Sequence, residues 1–224
     1  MHIFDIMGPI MVGPSSSHTA GAVRIGGITR RLLGARPVRA EILLHGSFAA
    51  TGAGHGTDRA LAAGLLGMAP DDPRIPDSLT LAREAGMEVC FGKILLRGAH
   101  PNSVLLRVED GAGTRLEVVA SSLGGGRVKV CAIDGLEASF SGEMPTLIVR
   151  NQDRPGVVAE VAAVLSGRAV NIAAMQLYRD MRGGLAVMVL ESDQPIPPQA
   201  VEELRGLPGI VRCTYLDMEE GRGA

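Results

Sequence analysis

The stretch Gly13-Pro14-Ser15-Ser16-Ser17-His18-Thr19-Ala20-Gly21 is the one around which the chain is organised. Its serines, histidine and threonine carry too many polar groups for a core strand, because each buried polar group needs a partner. Apolar residues follow at helical spacing over residues 20–33. We therefore predict a polar loop leading into a helix whose positive end suits a carboxylate. A capped turn with a surface histidine fits the spacing equally well.

The loop–helix pattern occurs a second time. Residues 38–44 alternate and then become continuously apolar, as in a strand that enters a core. A polar, glycine-rich stretch follows at residues 45–58, and helical spacing resumes at residues 59–66 with Thr57 or Asp58 as the expected N-cap. Two helix N-termini that face one another would form a polar pocket with convergent donors. The glycines at 52–56 lack the G-x-G-x-x-G spacing of a dinucleotide site.

Composition excludes several classes of protein. The chain has 224 residues and a net charge of −2, which gives no electrostatic reason to expect nucleic acid or an anionic membrane as a partner. It has no Trp and two Tyr, so platforms for base stacking are not expected. The N-terminus lacks a basic region followed by an apolar run, and no segment has the pattern of a membrane span. We expect a cytoplasmic protein.

The three cysteines, Cys90, Cys131 and Cys213, are far apart in the sequence and form no C-x-x-C motif. This spacing argues against a disulfide scaffold, a zinc ribbon or a self-contained iron–sulfur site. Each cysteine lies in or beside an apolar stretch. We therefore predict three buried structural thiols.

The rest of the chain is predicted as two groups of elements. A short strand or helical turn is predicted at residues 3–7, and strands are expected at 87–91, 94–97, 104–108, 115–120 and 128–133. Polar stretches at 100–103 and 121–126 interrupt these strands; the glycine triplet in the second is either a flexible turn or a close approach to a ligand. Residues 135–144 are predicted to be a linker or an irregular hairpin. From residue 146 the order is β-α-β-β-α-β, which indicates a ferredoxin-like domain.

This C-terminal segment resembles an ACT domain, a regulatory module that commonly binds amino acids. The resemblance is carried by Asp153-Arg154-Pro155-Gly156, the apolar helix after it and Val170-Asn171-Ile172. It implies an ACT domain over residues 146–220 with an effector site near the first loop and the start of the second strand, often across a dimer interface. The residues at those positions are Asn151, Asp153 and Asn171. Effector binding and purely structural dimerisation both remain open.

The N-terminal motifs, taken in order, resemble those of the β subunit of iron–sulfur-dependent L-serine dehydratases. The matching segments are Gly13–Thr19, Gly46-Ser47-Phe48 with Thr51-Gly52, Gly54-His55-Gly56-Thr57-Asp58, His100-Pro101-Asn102 and Ser122-Leu123-Gly124-Gly125-Gly126. The resemblance implies an allosteric-substrate-binding-like α/β domain over residues 1–140. A similar fold occurs in some phosphoglycerate dehydrogenases. The fold class is therefore α+β.

The resemblance also implies a division of labour between two chains. In the family, a catalytic α subunit holds a [4Fe-4S] cluster through its cysteines, and the enzyme converts L-serine to pyruvate and ammonia. This chain has no matching set of cysteines. It is therefore expected to bind no metal, to require the α subunit as a partner, and to associate with itself through the ACT domain.

Family motifs imply the site residues. The catalytic set is His18, His55, Thr57, His100 and Asn102. The substrate-binding set is Ser16, Ser17 and Ser122. Neutral imidazoles can move protons near neutral pH, and hydroxyl and amide groups can orient a carboxylate and an amine. His18 is expected to face outward, whereas His45 is expected to have only a structural role.

A second function class is also consistent with the C-terminal half. A non-catalytic protein built on the ACT domain for amino-acid sensing or oligomerisation would have the same fold there. The histidine-bearing polar motifs of the N-terminal half distinguish the two classes, because a pure sensor has little use for them. The sequence therefore favours the enzyme subunit.

Overall fold

The computed structural model describes residues 10–13 and 15–217. The element predicted at residues 3–7 lies outside the described residues. The chain separates into two compact units, with the division between Asp134 and Gly135.

The first unit contains a mixed sheet with helices in the long connection between its two parallel strands. A π-helical turn, Ser16–Gly21, continues into α1, and four helices and five strands follow the chain order α1 Ala22–Leu33, β1 Pro37–Leu44, α2 Gly46–His55, α3 Thr57–Leu66, α4 Ser78–Glu84, β2 Glu88–Lys93, β3 Ser103–Asp110, β4 Arg115–Gly124 and β5 Arg127–Ile133. The strands lie in the order β2-β1-β3-β4-β5. Of the four strand pairs in this order, only β1–β2 is parallel, and parallel neighbours require such a crossover connection.

Alternation along the strands gives this sheet one buried and one polar face. Leu106 and Val118 are buried beneath the helices, where α1 packs closely against α3. The opposite face carries charged side chains, including Arg107, which pairs with Glu41 and Glu117 at 3.0 and 2.8 Å. Such exposed pairs contribute about 1 kcal/mol or less each, so burial on the helix side supplies most of the stability.

Two predictions for these strands are wrong. The segment 94–97 is not a strand, because its neighbour β1 ends at Leu44 and leaves no strand with which to pair. Conversely, β4 continues through Ser121 and Ser122, where a polar interruption was predicted. A hydrogen bond between the hydroxyls of Ser121 and Ser103 at 2.7 Å makes this polar stretch compatible with a buried strand.

After an additional first strand, the second unit has the predicted β-α-β-β-α-β order, and the ferredoxin-like prediction is confirmed. Its elements are β6 Leu136–Phe140, β7 Thr146–Gln152, α5 Val157–Ser166, β8 Ile172–Arg179, β9 Leu185–Ser192, α6 Pro198–Arg205 and β10 Ile210–Leu216. The antiparallel sheet has the order β10-β7-β9-β8, and apolar residues of α5 and α6 bury one face. The strand β6 lies in the segment predicted to be a linker or an irregular hairpin.

The cysteines differ from the prediction of three buried thiols. Cys213 is buried as expected, and burial raises the pKa of its thiol to about 11. Cys90 is exposed and Cys131 is half-buried. Both lie on strands of the first unit whose outer face is uncovered, so apolar neighbours in the sequence did not imply burial. None of the helices in the described part of the chain has the length and apolar character needed to cross a membrane.

Candidate functional site

The serine-rich motif forms the first turn of a helix, which corrects the prediction of a loop. The Ser15 hydroxyl accepts a hydrogen bond from the His18 N–H at 3.2 Å and so caps the chain. The capped segment winds as a π-helical turn and runs directly into α1. π-Helical turns frequently occur at functional sites. Ser16 and Ser17 are half-buried in this turn.

Three hydroxyl groups surround the ring of His18. Its Nε2 lies 3.1 Å from the Thr51 hydroxyl and 3.4 Å from that of Ser47, and its Nδ1 lies 3.3 Å from that of Ser15. The Thr51 hydroxyl already donates its proton to the Ser47 carbonyl. The His18 Nε2–H therefore donates to Thr51, while Nδ1 accepts from Ser15. Contrary to the prediction that His18 faces outward, its ring is half-buried and both nitrogens are engaged.

His55 is the outward-facing partner of His18. Its side chain is exposed, and the two imidazole centroids lie 5.1 Å apart. Burial and then the positive charge of His55 lower the pKa of His18, although a hydrogen bond with the Ser47 backbone opposes them. His18 is therefore neutral at physiological pH, and His55 is the member of the pair whose ring can exchange protons with a ligand.

The helix α2 places these residues on one face. Ser47, Thr51 and His55 follow one another at four-residue intervals, so they form a row along the helix. Sequence reasoning gave Ser47 and Thr51 no role because it assigned the glycine-rich stretch to a loop. The i, i+4, i+8 spacing was the signal that would have identified them. The helix ends at Gly56, whose φ of 72° is the left-handed conformation that glycine permits.

Thr57 is fully buried at the start of α3 and does not cap that helix as predicted. The N-cap position is occupied by Gly56. The Thr57 hydroxyl has no hydrogen-bond partner within the described residues. A Cβ at Gly52 would lie 3.4 Å from the Thr57 Cβ, so Thr57 lies against the middle of α2.

Four buried side-chain oxygens of the first unit lack partners within the described residues, and all four come from the polar motifs. They belong to Thr19, Thr57, Asn102 and Ser122. More than nine in ten buried polar groups are paired in native proteins, so this concentration indicates a place where water or a ligand supplies the partner. Three of the four were predicted as site residues; Thr19 was quoted in the first motif but not assigned a role.

The π-helical turn lies against the end of β4. A Cβ at Gly21 would lie 2.1 Å from the Ser122 hydroxyl, so the backbone passes directly over that side chain. Beyond Ser122, the residues Gly124, Gly125 and Gly126 all have positive φ and form the tight hairpin to β5. The Arg24 guanidinium donates to the Gly126 carbonyl at 3.0 Å, which joins the hairpin to α1. The first and last motifs of the unit are therefore in direct contact.

The loop His100–Asn102 lies between α2 and β4. The Ser47 N–H donates to the Pro101 carbonyl at 2.8 Å, and the Ser122 N–H donates to the Asn102 carbonyl at 2.9 Å. The exposed His100 ring lines a cavity of about 450 Å³ together with Ser121. Adjacent strand residues point to opposite faces, so this cavity lies on the face away from the Ser122 side chain. The structure therefore brings Asn102 to the site but places His100 at its margin.

His45 immediately precedes α2 and has the structural partner expected of it. Its ring is buried, and Nδ1 accepts a hydrogen bond from the Leu96 N–H at 3.3 Å. This bond holds the chain where it leaves β2.

The described residues do not fit a four-cysteine cluster. Cys90 on β2 and Cys131 on β5 are separated by four strand spacings, or about 19 Å. No group of three or more His, Cys, Asp or Glu side chains in the described part of the chain is arranged to hold a metal ion.

The three effector residues predicted in the second unit do not form one site within the chain. Asn151 pairs with Ala186 at one end of β9, whereas β8 begins at the other end, where Ile172 pairs with Ser192. Six residues of an extended strand span about 20 Å, so Asn171 is far from Asn151.

Each end of that sheet nevertheless has polar side chains in an ordered arrangement. The Asp153 carboxylate accepts hydrogen bonds from the Gly183 N–H at 3.0 Å and from Arg179 at 2.9 Å. These two bonds, in that order, lower the pKa of Asp153. The Asn151 side-chain oxygen is buried without a partner within the described residues. At the opposite end, the Asn171 amide donates to Asp193.

The fold and site define a chain in which a domain with a buried polar site precedes a ferredoxin-like module. Residues 2–85 match the family model described as serine dehydratase beta chain, and residues 145–209 match the ACT domain model. The chain is 40% identical over 214 residues to a probable L-serine dehydratase, beta chain, from Bacillus subtilis (strain 168), covering 96% of this chain and 97% of that protein.

Two other proteins are also similar to this chain in sequence. The L-serine dehydratase, beta chain, of Peptoniphilus asaccharolyticus is 37% identical over 96% of this chain and 97% of its own length. A D-3-phosphoglycerate dehydrogenase of Archaeoglobus fulgidus is 25% identical over 96% of this chain, but the match covers only 39% of that longer protein. The chain belongs to the serine dehydratase beta chain family, which confirms the resemblance found in its motifs.

Proposed function

We propose that this chain is the β subunit of an L-serine dehydratase, an L-serine ammonia-lyase that converts L-serine to pyruvate and ammonia with a separate α subunit. The observation that carries the proposal is that the polar motifs of the first unit hold both the His18–His55 pair and four buried oxygens without partners within the described residues. Family membership supplies the substrate, and the polar site supplies the groups that such a substrate requires. A protein with only a sensing role, the other class that the sequence left open, would not need this site.

The chemistry assigns different tasks to the residues of the site. Elimination from serine removes the α-proton and the β-hydroxyl, so a group that exchanges protons must meet polar groups that orient the amino acid. We assign the proton exchange to a ring nitrogen of His55 and the orientation to Thr57, Asn102 and Ser122. Ser16 and Ser17 lie in the turn above Ser122 and are proposed to bind the substrate from that side. His100 is proposed to act from the margin of the site.

The [4Fe-4S] cluster that the family implies is proposed to reside on the α subunit. The separation of Cys90 and Cys131 by most of a sheet supports this division. An exposed free thiol at Cys90 suits a reducing compartment, which supports a cytoplasmic location. The net charge of −2 supports neither nucleic acid nor a membrane as a partner.

The proposal is tested by anaerobic reconstitution. The chain alone is expected to have no lyase activity, and addition of the cluster-loaded α subunit is expected to yield pyruvate and ammonia from L-serine in equal amounts. Pyruvate is measured by coupled reduction with lactate dehydrogenase. Lyase activity in the isolated, metal-free chain would contradict the division of labour, and an inactive complex with an intact cluster would contradict the proposed function.

The second unit is proposed to join two copies of the chain. Strand β8 is the edge of its sheet and exposes Met175 and Leu177 on the helix side. Antiparallel pairing of two β8 strands would place Asn171 of one copy beside the Asp153–Arg179 pair of the other. This arrangement would unite the two halves of the effector site that lie apart within one chain.

Replacement of Met175 by Asp is expected to shift the chain from a dimer toward a monomer in sedimentation velocity, because a carboxylate at the paired edge loses its hydration. Val211→Asp is the matched control, since Val211 is also exposed but lies on β10, the opposite edge of the sheet. It is expected to leave the sedimentation coefficient unchanged. An unchanged dimer in Met175→Asp would rule out association along β8.

A further inference from the structure

Three polar side chains lie in a row beneath the loop that carries His100 and Asn102. Strands β3 and β4 pair Ser103 directly with Ser121, and both serines are buried. Their hydroxyl oxygens lie 2.7 Å apart, and the Cys131 sulfur lies 3.6 Å from the Ser121 oxygen. The chemistry assigned to the site uses none of these groups.

The hydrogen bonds from Ser121 to Ser103 and from Ser103 to the His100 carbonyl run in one direction. The Ser103 hydroxyl lies 2.5 Å from the His100 carbonyl oxygen, which can only accept, so Ser103 donates its proton there. Ser103 then offers only lone pairs to Ser121, which must be the donor between the two hydroxyls. The Cys131 thiol donates to the Lys129 carbonyl at 3.7 Å and so gives no proton to Ser121. The row therefore ends on the His100 carbonyl.

Four successive backbone carbonyl groups of the loop each accept a hydrogen bond, and these bonds hold the loop in place. Three of the donors are backbone N–H groups, and only the first is a side chain: Ser103 hydroxyl to His100, Ser47 N–H to Pro101, Ser122 N–H to Asn102, and His45 N–H to Ser103. A substitution can remove a side-chain donor but not a backbone one. Ser103 is thus the position at which the anchoring of the loop can be weakened selectively.

The functional groups of the loop take their orientation from this backbone. The Asn102 N–H donates to the His100 Nδ1 at 3.1 Å, so the neutral ring carries its proton on Nε2 and presents that nitrogen outward. The Asn102 side-chain oxygen is buried without a partner within the described residues. A displaced His100 carbonyl would reorient both groups.

We propose that Ser103, supported by Ser121, is a positioning residue that holds His100 and Asn102 in the orientation needed for turnover. The inference rests on the proposed function, since it takes these two residues to act on the substrate.

The test compares Ser103→Ala with a matched substitution elsewhere in the unit. Ser78 is also fully buried, and its hydroxyl also donates to a backbone carbonyl, that of Arg59, at 2.7 Å. Ser103→Ala is expected to lower kcat/KM of the reconstituted enzyme about tenfold, the effect of one buried hydrogen bond. Ser78→Ala is expected to lose similar stability with unchanged kinetics. Equal kinetics for the two variants would overturn the proposal.

A second measurement uses the isolated full chain and does not depend on enzyme activity. Nitrogen-15 shifts of the His100 ring are expected to report one tautomer in the parent and a mixture in Ser103→Ala, and amide exchange of Ser47 and Ser122 is expected to accelerate. Ser78→Ala should change neither. If the reconstituted parent is inactive while these signals change, the proposed function fails but the anchoring stands; unchanged signals overturn the inference.

A second variant covers the case in which Ser103→Ala does not fold. Ser121→Ala leaves the bond from Ser103 to the His100 carbonyl in place and removes only its support. It is expected to show the same changes in the His100 ring and in kcat/KM, at about threefold rather than tenfold. Parent-like behaviour of a folded Ser121→Ala together with an unfolded Ser103→Ala would assign Ser103 to the core alone and overturn the proposal.

Discussion

His55→Ala in the reconstituted two-chain enzyme is expected to lower kcat about 100-fold to 10,000-fold, the usual contribution of a general acid–base group. The ring is exposed at the end of α2, 5.1 Å from the half-buried and neutral His18. Because the hydroxyls around His18 engage both of its ring nitrogens, His18 cannot replace its neighbour. Initial rates of pyruvate formation from L-serine measure the effect.

Stability measurements separate this loss from a loss of structure. The His55 side chain is exposed, so the urea midpoint of the variant should match that of the parent within error. Arg59→Ala, an exposed substitution on the first turn of α3, is the control and should retain activity. His18→Gln is expected to lower both activity and stability, because it removes the ring held by three hydroxyls. Parent-like turnover of His55→Ala would remove His55 from the site.

The parts of the fold that follow a simple period were predictable. The strands β3 and β5 alternate or run continuously apolar between turn signals, and the second unit follows the β-α-β-β-α-β order from β7 onward. In these segments the local preference and the tertiary burial agree, which is the condition under which periodicity succeeds.

The helix α2 was not predictable on the same grounds. Glycine costs up to about 1 kcal/mol relative to alanine in a helix interior, and this segment contains several. Tertiary contacts offset that cost: Phe48 is fully buried, and Gly52 allows Thr57 to pack against the helix. The glycines that disfavoured a helix in the sequence are therefore part of how the helix packs.

The candidate site was predictable in its residues but not in its geometry. Motifs identified Thr57, Asn102 and Ser122, and each contributes a buried oxygen without a partner within the described residues. Which histidine is exposed depends on α2, and the separation of Asn171 from Asn151 depends on strand register. Neither of these can be read from the spacing of residues along the chain.

Gly64→Ala is expected to have the largest effect on the stability of the first unit. A Cβ at this position would lie 2.1 Å from the Val23 carbonyl oxygen and 2.8 Å from the Gly27 nitrogen, both of them backbone atoms of α1. Neither atom can move aside by a rotamer change, so α1 and α3 must separate. Forcing atoms into a packed contact of this kind typically costs about 1–3 kcal/mol, and a clash with two backbone atoms is expected at the upper end.

Gly54→Ala is the matched control for this substitution. Gly54 lies in α2, and a Cβ there would meet nothing within 4 Å. The same chemical change is therefore expected to leave stability unchanged or to raise it slightly through helix propensity. Amide exchange followed by mass spectrometry assigns the loss to the unit concerned. Exchange in α1 and α3 should accelerate in Gly64→Ala, while exchange in α5 and α6 stays at the parent rate.

The contact between α1 and α3 at Gly64 also affects the geometry of the site. The π-helical turn with His18 leads directly into α1, and α3 begins at Thr57, two residues after His55. A change in the distance between α1 and α3 is therefore expected to move the two imidazole rings relative to one another, because α2 carries His55 directly into α3. Folded Gly64→Ala, stabilised by an osmolyte, is expected to lose at least tenfold in turnover, since displacements near 1 Å have large effects on catalysis. Parent-like activity in that variant would show that the spacing of the rings does not limit the reaction.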